Sequence, residues 1–201
     1  MVLGLQSDMK KFPFLILALL LSTVSFAQFT TTIQWYDGGG THRGDTIYYN
    51  PEQKLRWDDF KGRPGQNSMA AAITESGFGY RMSMQSTNGR TQVVIIVYCY
   101  FNKRNSWFRK NMNTDYALTH EQHHFDITWI NTCLFVKKLK AAKLTTGNYS
   151  AVVDSIYDEC YDSLDSMQDE YDGQTSNGRI RKVQGAWNRK IDKMLAELVI
   201  N

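Results

Sequence analysis

From Tyr116 to Leu144 the chain contains neither glycine nor proline, and apolar residues recur at helical spacing. A stretch that long without a breaker reads as a helix. Thr114 or Asp115 can cap its start, and Thr145-Thr146-Gly147-Asn148 breaks it. Two further helices are expected, from about Tyr149 to Asp172 and from about Arg179 to Leu198, separated by a break at Gly173 to Gly178. Upstream the periodicity changes. Thr30 to Tyr36, Thr46 to Tyr49 and Lys54 to Trp57 read as short strands. Ile73 to Gln85 and Thr91 to Phe101 flank Asn88-Gly89, a pair suited to a type I′ hairpin turn. The run Val93 to Val97 is apolar on both faces and suits a central strand. The expected fold is one α+β domain: an N-terminal antiparallel sheet followed by three helices.

The chain opens with the marks of a signal peptide over residues 1–27. Lys10 and Lys11 precede an apolar stretch from Phe12 to Val24, and Ser25-Phe26-Ala27 offers a small-x-small cleavage site before Gln28. Met9 is an alternative start, since Met9-Lys10-Lys11 begins a compact signal by itself. The apolar stretch is shorter than the roughly 18 residues a membrane span needs. The expectation is a secreted or periplasmic domain, residues 28–201, with no stable membrane insertion after signal cleavage. A net charge of +3 is too small to suggest nucleic acid as a partner. Export permits disulfides. Of Cys99, Cys133 and Cys160, the last two fall near each other if the first two helices form a hairpin, so a disulfide or two buried thiols is expected there.

His120-Glu121-Gln122-His123-His124 carries the chemistry. Residues four apart share one helix face, so both His120 and His124 can reach one metal ion. This is the H-E-x-x-H arrangement, in which zinc lowers the pKa of bound water and the glutamate takes its proton. Glu121 is then the general base and peptide or protein the substrate. His123 lies off the ligand stripe and is expected, with Asp126, among the supporting or surface groups.

A catalytic zinc needs a third protein ligand and an open position. An antiparallel hairpin of the first two helices sets His120 opposite about residue 171 and His124 opposite about residue 167. By helical phase Glu170 points at the first helix better than Asp172. Asp172 lies near the helix end, where the chain can bend back, so both remain candidates. The acidic run from Asp154 to Asp172 lacks the loop glycine and spacing of a calcium site. His42, in a glycine-rich loop, is a weaker candidate.

Four stretches resemble the bacterial DUF922 family, described as secreted or periplasmic zinc-dependent peptidases of the H-E-x-x-H type. Leu55 to Gly62 with Pro64 is similar to its W-x-D-F-x-G-x-P segment. Ala70-Ala71-Ala72 with Thr74 follows, and Leu118 to Ile127 resembles its L-x-H-E-Q-x-H-F-D-I core. Tyr171-Asp172 with Thr175, then Gln184 and Trp187, resembles its Y-D-x-x-T-x-H-G…Q…W close. The resemblance implies a zincin-like active-site helix and favours Asp172 as third ligand. One position departs: Asn177 stands where the pattern has His. If that His were the ligand the site here would be weakened; if Asp172 is, the site survives. Asn177 or Tyr171 could donate a hydrogen bond to a reacting oxyanion. Trp57, Asp58, Asp59 and Phe60 are expected to pack rather than react. The alternative function is a non-catalytic envelope binding protein that retains the peptidase fold.

Overall fold

The computed structural model describes residues 28–38, 44–66 and 68–198. The expected signal peptide and His42 lie outside the described residues. Six strands, β1 (Gln28–Trp35), β2 (Thr46–Tyr48), β3 (Ala72–Ile73), β4 (Ser76–Thr87), β5 (Arg90–Asn102) and β6 (Trp107–Phe108), precede three helices, α1 (Asp115–Ala141), α2 (Tyr149–Thr175) and α3 (Arg181–Ala196). The order is the one expected, a sheet followed by three helices.

β4 and β5 form the long hairpin, with Thr87 opposite Arg90. Asn88 and Gly89 have φ of 51° and 73°, as a type I′ turn requires. β5 is central. β4 lies along one edge, while β1 and β2 share the other, β1 beside its N-terminal half and β2 beside its C-terminal half. β1 runs parallel to β5, so the sheet is mixed rather than wholly antiparallel. Hairpin logic does not govern this pair, because a long stretch of chain separates the two strands. β5 alternates strictly. Val93, Ile95, Val97, Cys99 and Phe101 are buried, and Val94, Ile96, Tyr98 and Tyr100 are only half-buried. Its continuous apolar run therefore marks a central strand with one covered face.

The covered face meets α1, whose Phe125, Ile127, Phe135 and Val136 join the same core. Phe101 packs against Phe60 on one side and Phe125 on the other. Lys54 to Trp57 is not a strand. Leu55 N–H donates to Gln122 Oε1 and Arg56 N–H to Asp59 Oδ2, so side chains rather than a neighbouring strand satisfy this backbone. A 3-10 helix at Trp57–Asp59 follows. Trp57 and Phe60 both lie against Phe108 of β6, which clamps the small β3–β6 ribbon to the main sheet. These aromatics pack, as expected.

α1 begins at Thr114, whose side chain caps Ala117 N–H. α2 runs antiparallel to it: His124 meets Gln168, Asn131 meets Ser163 and Lys138 meets Glu159. α2 extends to Thr175, one turn beyond the expected end, and buries Val153, Cys160, Leu164, Tyr171 and Thr175 along one stripe. Among the described residues, no helix is long and apolar enough to cross a membrane.

All three cysteines are free. Asn131 faces α2, and Cys133 stands about 200° further round the helix. It looks instead toward the sheet, where its thiol adds to the field on Cys99 and Tyr49. Burial pushes the Cys133 thiol up to about 12 and raises Cys99 and Cys160 as well. Since the thiolate is the reactive form, iodoacetamide at mildly alkaline pH is expected to modify none of the three in the folded protein and all three after denaturation. Mass spectrometry reads the difference.

Candidate metal centre

His120 and His124 project from the first half of α1 toward the last turns of α2. Their Nε2 atoms stand 3.2 Å apart. Asp172 Oδ1 lies 3.1 Å from each of them. His120, His124 and Asp172 form a group that can hold a metal ion. Asp172 occupies this place because α2 continues past it as regular helix. Glu170 does not: its carboxylate accepts from Gln174 Nε2 and lies 4.0 Å from Lys190 Nζ, on the exposed side. The buried stripe of α2 runs through Leu164, Tyr171 and Thr175, which leaves Glu170 on the outer side.

The donor chemistry fits a cation. His120 Nδ1 is 2.9 Å from Gln184 Oε1, and His124 Nδ1 is bonded to Gln168 Oε1. A carbonyl oxygen only accepts, so both Nδ1 atoms carry the proton. In the neutral rings each Nε2 then presents a bare lone pair. Asp172 Oδ1 is buried and accepts no hydrogen bond. With both rings neutral, three lone pairs converge with no proton among them, an arrangement that a positive ion satisfies. The spacing agrees: donors 2.0–2.1 Å from one tetrahedral ion stand roughly 3.3–3.4 Å apart. A calcium ion would ask for about six to eight oxygen ligands at longer range.

Electrostatics favour positive charge at the same point: a proton on His124 can supply it in the metal-free fold, and a metal ion would take that proton's place. Burial raises the Asp172 carboxyl, but the two imidazoles outweigh it and hold the group well below the usual carboxylate range. Burial lowers His124, while Asp172 and the charge of Glu121 outweigh that and raise it above an ordinary histidine. Tyr171, fully buried, stacks on the His120 ring at 4.7 Å and meets His124 edge-on. Its hydroxyl donates to His120 O and accepts from Gln184 Nε2. Tyr171 therefore packs beneath the imidazoles and has no free hydroxyl for an oxyanion.

Glu121 is buried next to His120, and its Oε2 accepts from Thr74 Oγ1 at 2.7 Å. Thr74 directly follows β3, so the small ribbon fixes the carboxylate. His123 is buried too but is turned away from the triangle. Its Nδ1 donates to Thr119 O and its Nε2 lies 3.6 Å from Asp192 on α3. Asp126 is not a support for the ligands. It accepts from Tyr49 Oη and Gln122 Nε2 and lies 3.6 Å from Lys54 Nζ, tying α1 to the segment before the 3-10 helix.

Ser176, Asn177 and Gly178 all have positive φ, forming a left-handed turn after α2. Asn177 is exposed, and its N–H donates to Asp172 O. It takes no part in the ligand triangle. The departure at this position leaves His120, His124 and Asp172 intact.

Sequence reasoning missed Gln168 and the contacts of Thr74, Gln184 and Gly178. Gln168 stands four residues before Asp172 and so shares its helix face; that spacing was the available signal. No known protein family, curated protein or solved structure matches this chain.

Proposed function

We propose that the protein is an exported zinc-dependent metallopeptidase with Glu121 as general base. The observation that carries this reading is the convergence of His120 Nε2, His124 Nε2 and Asp172 Oδ1 within 3.2 Å of one another, next to a buried glutamate. Two imidazoles and one carboxylate at tetrahedral spacing favour zinc among abundant divalent ions. Zinc held there would supply Lewis acidity toward a scissile carbonyl and bring the pKa of water near neutrality. The likeness of Leu118 to Ile127 and of Tyr171-Asp172 to the DUF922 pattern supports the same reading, as does the signal-like N-terminus.

The chain's own groups divide the remaining work. His120 and His124 present neutral lone pairs. Asp172 brings the one negative charge to the triangle. Glu121 accepts the proton of the attacking water and can return it to the leaving amine. Thr74 Oγ1 donates to one oxygen of that carboxylate and restrains it. A peptide or protein is the substrate class.

The test is hydrolysis of a quenched fluorescent peptide library by zinc-loaded mature protein, with and without chelator. Turnover that chelation abolishes and zinc restores supports the proposal. Zinc binding without turnover of any peptide would favour the non-catalytic binding protein instead. Thr74→Val is expected to lower kcat by roughly 10- to 100-fold with KM little changed, the worth of one hydrogen bond to a charged group. Thr74→Ser, which keeps the hydroxyl, should retain most of the rate.

A further inference from the structure

We propose that Gln168 and Gln184 are positioning residues that lock both ligand imidazoles in the Nδ1–H tautomer, so that the metal-free fold already presents two bare Nε2 atoms to the ion. The inference rests on the metal-binding reading of His120, His124 and Asp172, and adds what prepares those atoms.

A glutamine amide has two ends, and only its carbonyl end selects this tautomer. If the amide turned over, its NH2 would face Nδ1, the ring proton would move to Nε2, and an N–H would point into the metal position. The neighbours prevent that turn. Gln184 Nε2 donates both its hydrogens, to Tyr171 Oη and to Asn188 Oδ1. Tyr171 Oη already donates to His120 O, so it must accept from Gln184. Gln168 Nε2 donates to the main-chain His124 O at 2.9 Å, an atom that can only accept. Each glutamine is thus oriented by groups that leave its Oε1 toward the imidazole.

The His120 arm is also sealed. Gly178 has φ of +76°, and a Cβ built on it would stand 3.3 Å from His120 Nδ1 and 3.6 Å from Gln184 Oε1. Its N–H is held by Thr175 Oγ1 and its carbonyl by Tyr116 Oη. The left-handed turn therefore lays bare backbone over the Nδ1–Oε1 bond, where water would otherwise compete. The two glutamines come from different helices, so the tautomers of α1 are set only when α2 and α3 are docked.

Two measurements test this. The first needs no variant: 15N chemical shifts of the histidine ring nitrogens in metal-free wild-type protein at alkaline pH. Both ligand rings are expected in the Nδ1–H form; a predominant Nε2–H form in either would overturn the proposal. The second is zinc affinity by competition with a chromophoric chelator. Gln168→Met and Gln184→Met are each expected to weaken zinc by roughly 10- to 100-fold. Wild-type affinity in both methionine variants, with near-UV circular dichroism unchanged, would overturn it. If wild-type protein bound no zinc, the metal reading would fail, while the ring-nitrogen shifts would still decide the tautomers.

Discussion

Glu121→Gln is expected to leave zinc bound and to lower peptide hydrolysis by roughly 10²- to 10⁴-fold, the range supplied by a positioned general base. The substitution is close to isosteric. Its amide oxygen can still accept from Thr74 Oγ1, which now holds Oε2 at 2.7 Å, so the buried site keeps its packing. What is lost is basicity. Glu121 stands outside the triangle of His120, His124 and Asp172, so metal content should not change. Steady-state kinetics on one fluorogenic peptide, with metal analysis of the same sample, separates the two effects. Undiminished turnover would mean that Glu121 only packs, and another proton acceptor would have to be found.

Asp172→Ala is expected to have the largest effect on the metal. It removes one of the three proposed ligands and the one negative charge in the triangle. Zinc affinity should fall by more than the roughly 100-fold that loss of a supporting hydrogen bond produces. Stability follows by linkage. A ligand present at about 100 times its Kd stabilises the folded state by roughly 2.7 kcal/mol. In a domain of this size that corresponds to a Tm change of roughly 5–10 °C. Chelator should therefore lower the Tm of zinc-loaded wild-type protein by about that much. Asp172→Ala should melt near the chelated wild-type value and respond little to chelator. Glu170→Ala is the contrast. Glu170 faces Gln174 and Lys190 at the surface, and its removal should leave both zinc affinity and the chelator response unchanged.

Much of this site is legible in the sequence because helices are regular. The four-residue spacing puts His120 and His124 on one face, and counting back from the break near residue 146 sets the register of α1 on α2. That count pairs His124 with residue 167; the structure pairs it with Gln168. Rotation is harder to read than register. Three of four neighbouring positions on α2 are polar, so the apolar pattern does not say whether Glu170 or Asp172 turns inward. The end of the helix also depends on Thr175, whose hydroxyl bonds back to Tyr171 O and forward to Gly178 N. Such a stop has no strong local signature. Cys133 shows the same limit: its register places it near Cys160, while its rotation aims it at Cys99 on the sheet.

In the sheet, the Asn88-Gly89 turn and the apolar run of β5 fix the hairpin and the central strand. The parallel placement of β1 is a matter of topology between distant segments, and alternation along either strand is silent about it. Lys54 to Trp57 misleads for a related reason. Its composition suits an extended segment, but its N–H groups bond to Gln122 and Asp59 side chains instead of a strand.

His120, His124 and Asp172 are proposed to hold one zinc ion. The most direct test is metal analysis by mass spectrometry of mature protein purified without chelator, alongside Asp172→Ala prepared identically. About one zinc per wild-type chain and a large loss in the variant are expected. A wild-type protein that carries no zinc, and takes up none when zinc is supplied, would contradict the proposal.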